Sequence, residues 1–210
     1  MEELFLLDDV CIISKKKSIM NLNMKINIGD FLVIRGSNAT GKSLLLKLFY
    51  LKVLPSSGTL YVGGKKISDE SKKDIIELRR RMGVILQNDY LIPFFSVFQN
   101  IELASQIQQS RQSFIERMTQ ISNWLELDKI KDEKINSLSN SQKQKVVIAR
   151  ALINNPKIIL ADQPETYLDE NSDKKFFFLL ESLSKLGTTI IITSNKRKNI
   201  NIVHRTLELK

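Results

Sequence analysis

Apolar residues along this chain recur in two rhythms. Short apolar runs at residues 31–34, 84–86, 158–161 and 188–193 predict buried strands. Three- and four-residue spacing predicts helices over 43–51, 72–81, 142–154 and about 172–186, the first closed off by Pro55 and Gly58. Residues 59–62 and 65–67 flank Gly63-Gly64, a pair that tolerates positive φ, and predict a hairpin. From Val97 to about Leu127 the spacing of Ile101, Ala104, Ile107, Phe114, Met118, Ile121 and Leu125 predicts one long helical stretch. A last strand follows His204. Strands alternating with helices imply an α/β fold: a mostly parallel sheet with flanking helices, an antiparallel β hairpin region and an inserted α-helical lobe. No linker or repeat divides the chain, so residues 1–210 read as one unit. Its core is residues 1–95 and 155–210, and the lobe is about 96–154.

Composition narrows the chemistry. A single cysteine, Cys11, excludes a disulfide framework and a thiolate zinc cluster, and fits a reducing compartment. One histidine, His204, stands against a His-based metal site or a Ser-His-Asp triad. No apolar run reaches the roughly 18–20 residues of a membrane span. The opening Met1-Glu2-Glu3 is acidic where a secretory signal would be basic, so a cytoplasmic chain is expected. The net charge of +9 invites a nucleic-acid reading. However, the cations are scattered in small groups (15–17, 65–66, 79–81, 143–145, 196–198) with no base-reading module around them, so no nucleic acid is expected. Attraction to an anionic membrane surface and a plain solvated basic surface both stay open.

Residues 36–43 read GSNATGKS, a glycine, four residues, then Gly-Lys-Ser, between a predicted strand and a predicted helix. Such a loop, Gly36, Ser37, Asn38, Ala39, Thr40, Gly41, Lys42 and Ser43, turns backbone N–H groups and a helix N-terminus toward the phosphates of a nucleotide. Lys42 adds a full charge, and the Ser43 hydroxyl suits Mg²⁺. A second metal-side acid belongs at the end of a neighbouring strand, where residues 158–162 (IILAD) supply Asp162.

The order of motifs then carries a resemblance. After the phosphate loop come Gln87 at a strand end, LSNSQ at 138–142 running into KQKVVIARAL, IILADQPETYLD at 158–169 and TTIIITSN at 188–195. This resembles the nucleotide-binding subunits of ATP-binding-cassette (ABC) systems across essentially the whole chain. Within them it is nearest the FtsE-type cell-division ATPases, with the LolD-type lipoprotein-release ATPases next. The PSSGTLYVGG and ELRRRMGVILQNDYLI stretches support that placement. The resemblance implies a P-loop NTPase core and a head-to-tail homodimer holding two ATP molecules with Mg²⁺. Each ATP would lie between the phosphate loop of one subunit and Ser139 and Gln142 of the other. Gln87 would sense metal and γ-phosphate. Residues 88–102, with Tyr90, Leu91, Ile92, Phe94 and Phe95, would form the dock for an integral membrane subunit of the FtsX type on the inner face of the membrane. The same apolar cluster also reads as lobe core.

Four departures fall on the chemistry. The family has Asp-Glu-Pro where this chain has Asp162-Gln163-Pro164, and a neutral amide cannot take a proton from the attacking water. Gln163 keeps the capacity to position water by hydrogen bonding. Glu165 lies two residues on, with Pro164 between. Asn195 stands at the switch histidine, able to donate a hydrogen bond but not to shuttle a proton. Asn140-Ser141 replace the glycine pair of the signature, and Ala39 a further glycine; glycine gives close approach and positive φ, so weaker closure of the ATP sandwich is expected. Residues 12–14 (Ile-Ile-Ser) lack the aromatic that stacks on adenine in the family. Two functions compete on these terms: a slowly hydrolysing ABC-type ATPase, and a nucleotide-gated scaffold that hardly turns over. A soluble ABC protein of DNA repair or translation is disfavoured, because the long insert or second cassette such proteins carry is absent from the sequence.

Overall fold

The structure is a computed structural model of the chain and describes residues 2–14, 17–87, 90–105, 110–195 and 203–209. Its centre is a five-stranded parallel sheet. β3 (Phe31–Gly36), β6 (Met82–Ile85), β7 (Ile158–Asp162), β8 (Thr189–Thr193) and β9 (Arg205–Leu209) run in the spatial order β6-β7-β8-β3-β9. β7 and β8 are buried along their whole length, as strands covered on both faces must be. A second, antiparallel sheet has the order β2-β1-β4-β5, from β1 (Glu3–Ser14), β2 (Lys17–Asn27), β4 (Ser57–Val62) and β5 (Lys65–Lys66).

The hydrophobic pattern gave no strands between residues 3 and 27, and the reason is local. Phe5 and Leu7 are buried, and so are Val10 and Ile12, so the alternation slips by one residue. The slip is a bulge between Leu7 and Val10, where Asp9 takes φ 47° and its N–H donates to Asn23 Oδ1 at 2.8 Å. Asn21, at φ 56°, breaks the rhythm of β2 in the same way. A strict period of two therefore misses both strands.

Helix α1 (Lys42–Phe49) fills the space between the sheets with Leu45, Leu46, Leu48 and Phe49, and Phe49 meets Phe5 edge-on at 5.1 Å. On the opposite face of the parallel sheet, α5 (Asn140–Leu152) and α6 (Glu170–Lys185) bury Val146, Ile148, Phe176 and Leu180 in one core with α3 (Val97–Glu102) and α4 (Arg111–Leu125). Charged α2 (Lys72–Arg80) starts at a Ser71 capping box. Helical structure between 97 and 127 is thus divided: α3 ends at Glu102, and Ser110 caps α4 by accepting from the Ser113 N–H at 3.1 Å. Spacing alone did not show that break. At the C-terminus of α4, Glu126 takes φ 60° and bonds Lys145 of α5 at 2.9 Å and Lys175 of α6 at 2.7 Å. Close packing governs one more position. A Cβ on Gly83 of β6 would lie 2.5 Å from the Ala151 carbonyl oxygen of α5 and 2.8 Å from Pro156.

Candidate nucleotide site

Parallel strands bring their C-terminal ends to one edge, and the sequence loads that edge with polar groups. β6 leads to Gln87, β7 ends in Asp162, β8 runs into Ser194 and Asn195, and β3 opens into the loop 36–43. β8 lies between β7 and β3, so Asp162 and the loop are separated by one strand rather than adjacent.

The loop is shaped for an anion. Gly41 caps α1 at φ 98°, a left-handed value where a Cβ would also press to 2.8 Å on Ile19. No side chain caps α1 and no acid sits in its first turn, whereas α2 to α6 each start at a Ser or Asp cap. The uncapped end keeps its partial positive charge for a ligand. Lys42 is buried, with Nζ donating to the carbonyls of Gly36 and Ser37 at 2.7 Å each, and its charge sits inside the loop's curve. Ala39 holds φ 73°, the conformation for which a glycine is the natural choice. Ser43 is half-buried at the second position of α1.

Asp162 is buried and accepts from Thr193 Oγ1 at 2.6 Å. The Gln163 N–H donates back to the Thr193 carbonyl at 3.2 Å and to its hydroxyl at 3.0 Å, and Gln163 itself is held at φ 45°. The two departures from the family chemistry meet here. Asn195 Nδ2 donates to Gln163 Oε1 and to Asn38 Oδ1, both at 2.9 Å. Three neutral amides from three segments thus form one bridge between the phosphate loop, the end of β7 and the end of β8. Glu165 does not join it. Its carboxylate is turned inward, where Ser194 Oγ donates to it at 2.5 Å. Buried and bonded to Ser194, that carboxylate stands apart from the exposed amide bridge.

Ser139 and Gln142 lie elsewhere, at the start of α5, and are joined to each other rather than to this group. The Ser139 hydroxyl accepts from the Gln142 N–H at 3.2 Å, and Gln142 Oε1 accepts from the Ser139 N–H at 2.8 Å. Asn140 and Ser141 are the first residues of the helix and neither has positive φ. The expected cost of losing glycine φ freedom at these two positions is therefore corrected. The helix accepts both residues, and only the bulk of their side chains remains as an obstacle to close approach. Of residues 12 and 13, expected from the resemblance to lie beside adenine, Ile12 is buried and Ile13 is 60% exposed, its N–H bonded to Ser56 Oγ at 3.0 Å.

The apolar cluster after Gln87 divides. Asn88 and Asp89 lie outside the described residues; Leu91 is buried, while Tyr90 and Phe94 are each 68% exposed. Phe94 and Phe95 meet edge-on at 5.4 Å. A groove of about 630 Å³ runs between α2, β6, α5 and residues 103–105, with Leu103, Arg79 and Arg150 among its walls. Arg150 reaches the Tyr90 carbonyl at 3.0 Å. Sequence reasoning missed Thr193, Ser194 and the Asn38 side chain. The available signal was a pair of hydroxyl residues, Thr193-Ser194, directly after the apolar run Ile190–Ile192.

No group of three or more His, Cys, Asp and Glu gathers among the described residues, so a dedicated all-protein metal cage is not formed there. One hydroxyl and one strand-end carboxylate, Ser43 and Asp162, suit Mg²⁺ that takes its remaining ligands from phosphate and water. No described helix is long and apolar enough to cross a membrane.

Comparison with known proteins agrees with this geometry. A family profile described as ABC transporter matches residues 19–166. The lipoprotein-releasing system ATP-binding protein LolD of Buchnera aphidicola is 35% identical over 202 residues, covering 93% of this chain and 88% of that protein. The cell division ATP-binding protein FtsE of Streptococcus pneumoniae is 30% identical over 195 residues, covering 92% and 85%. The ATP-binding cassette MJ0796, solved as a dimer bound to ADP and Pi, superposes with a TM-score of 0.87 at 29% identity, over 99% of this chain and 94% of that one. The phosphate loop, the strand-end acid and the parallel sheet that presents them are those of a P-loop NTPase core, and the chain belongs to the ABC transporter family, with ATP-binding subunits of the FtsE and LolD kind among its relatives.

Proposed function

We propose that this chain is the ATP-binding subunit of an FtsE-like membrane complex in which MgATP binding, rather than rapid hydrolysis, does the coupling. Residues 36–43 would hold the triphosphate, with Lys42 and the uncapped end of α1 on its phosphates. Ser43, Asp162 and Gln87 would hold Mg²⁺, which neutralises charge across the phosphates. Ser139 and Gln142 would meet the nucleotide of a second, head-to-tail copy. Residues 88–102 would present Tyr90 and Phe94 to an integral membrane subunit of the FtsX type, so that the chain works at the cytoplasmic face of a membrane.

The observation that carries the emphasis on binding is the Asn38–Asn195–Gln163 bridge. Gln163 Oε1 already accepts from Asn195, and its remaining amide N–H groups only donate. Donors suit a γ-phosphate oxygen. They do not remove a proton from water. The site therefore favours holding ATP over splitting it, with a scaffold that hardly turns over as the limit of the same design. Calorimetry with MgATP and MgADP, size analysis of the ATP-bound species, and phosphate release with and without the membrane subunit test this reading. Micromolar to millimolar ATP binding with dimer formation and turnover well below 1 s⁻¹ is expected; ordinary enzyme turnover, roughly 1–10³ s⁻¹, rejects it. A LolD-like role in lipoprotein release is a second reading, favoured by the 35% identity to LolD against 30% to FtsE. Capture by an FtsX-type or a LolD-partner-type membrane subunit separates the two.

A further inference from the structure

Two residues beyond Gln163, Glu165 is only 4% exposed, and one carboxylate oxygen, Oε2, is buried with no hydrogen-bond partner among the described residues. A carboxyl group withdrawn from water and bonded through one oxygen is costly to keep, and such a group calls for a reason. Its one bond is short and specific. Ser194 Oγ, also buried, donates to Oε1 at 2.5 Å. Ser194 is the residue immediately before Asn195, and its own N–H donates to the Ile34 carbonyl of β3 at 3.1 Å.

Successive ties thus join the ends of β7 and β8. Asp162 bonds Thr193, the Gln163 N–H bonds Thr193, Glu165 bonds Ser194, and Gln163 Oε1 bonds Asn195. The turn carrying Glu165 is itself closed by the Thr166 N–H on the Gln163 carbonyl at 3.1 Å. Gln163 and Asn195 therefore flank a buried link, and the link fixes the backbone on both sides. The link adds a buried side-chain tie to the Ser194 N–H bond on Ile34 and to the exposed amide bridge, and it is the tie that joins the segment carrying Asn195 to the turn after Gln163.

We infer that Glu165, acting through Ser194, is the positioning residue that sets Asn195 against Gln163 and Asn38 at the γ-phosphate end of the nucleotide site. It touches neither nucleotide nor metal. Its effect is confined to contacts that ATP makes and ADP does not. This assignment rests on the ATP-binding reading and deepens it.

The test compares MgATP and MgADP affinity by calorimetry in the full chain with Glu165→Ala, Glu165→Gln, Ser194→Ala and the Glu165→Ala/Ser194→Ala pair. Loss of a positioned hydrogen bond predicts a roughly five- to tenfold weaker MgATP affinity in each alanine variant, with MgADP affinity kept within about twofold. Gln at 165 still accepts from Ser194 and should restore MgATP affinity to within about twofold of the native value. The double variant should lose no more than either single one, because both remove the same link. A parallel fall in ATP and ADP affinity, multiplying losses, or no rescue by Gln overturns the assignment. Side-chain amide NMR signals in nucleotide-free protein give an independent readout. Glu165→Ala should shift the NH₂ signals of Asn195 and Gln163, and unmoved signals overturn the assignment. If the native chain takes up neither nucleotide, the ATP-binding reading fails, and these signals still decide the role of Glu165.

Discussion

Replacing Gln163 by Glu is the sharpest perturbation the site offers. The new carboxylate keeps the acceptor that Asn195 Nδ2 already reaches at 2.9 Å, and the bond becomes charge-assisted. Backbone strain is unchanged, since Gln and Glu meet the φ of 45° on equal terms, so stability should stay within about 0.5 kcal/mol. What changes is the capacity to accept a proton. A positioned general base contributes about 10²–10⁴ in rate, equivalent to about 2.7–5.5 kcal/mol of barrier. Asn195 cannot carry a proton onward, which places the gain toward the lower end, about a hundredfold. Phosphate release at saturating MgATP measures it, with Lys42→Ala as the background and MgADP affinity as the check that the site is intact. A gain below about threefold in a variant that still binds MgATP would refute the argument that the missing base limits turnover.

Other expectations follow from single features. Phe94→Asp should abolish capture of the membrane subunit while thermal stability changes by less than about 1 kcal/mol, because the ring is 68% exposed; a matching loss of folding would show the ring to be core. Ala39→Gly should raise stability by about 0.5–1 kcal/mol, since a left-handed alanine costs about 1–2 kcal/mol and glycine returns part of that as chain entropy. Thermal melts should then shift upward by about 1–4 °C, and a downward shift contradicts the strain. Lys175 and Lys145 hold the Glu126 carboxyl at about 2, below its ordinary 4.5. A lowered folded-state value means the contribution is complete above about 4.5 and is lost as pH falls toward 2. Glu126→Gln should therefore cost under about 1 kcal/mol at pH 7, the group being solvent-exposed, and the gap to the native chain should narrow between pH 4.5 and 2. Chemical denaturation across pH checks the slope; a gap that widens on acidification contradicts it.

The phosphate loop was legible because its chemistry is contiguous: glycines, lysine and serine must follow one another for backbone and helix end to converge on one anion. Asp162 was legible for a similar reason, as a charge closing an apolar run. The amide bridge was not, since Asn38, Gln163 and Asn195 are far apart in the chain and meet only when β3, β7 and β8 share an edge. The first two strands were hidden by the bulge at Asp8-Asp9, which shifts the buried positions by one. The signature segment carried a second meaning. Ser139 and Gln142 have the spacing of a capping box, the same device as Ser71 with Asp74 and Ser96 with Gln99, and in the isolated chain that is the role they fill. Reading Asn140-Ser141 through glycine φ overlooked that a helix already begins there.

Gly83 admits the backbone of α5 to the surface of β6 with room for a hydrogen and no more. α5 is 13 residues long, and Ser139 stands about 18 Å from that touching point at 1.5 Å per residue. A tilt of the helix axis by about 10° about that point would swing Ser139 by roughly 3 Å, about the length of a hydrogen bond. Two residues past the far end of β6 stands Gln87. The strand that leads to Gln87 and the helix that starts after Ser139 thus share one tight contact, and any side chain larger than a hydrogen at residue 83 would push the two apart.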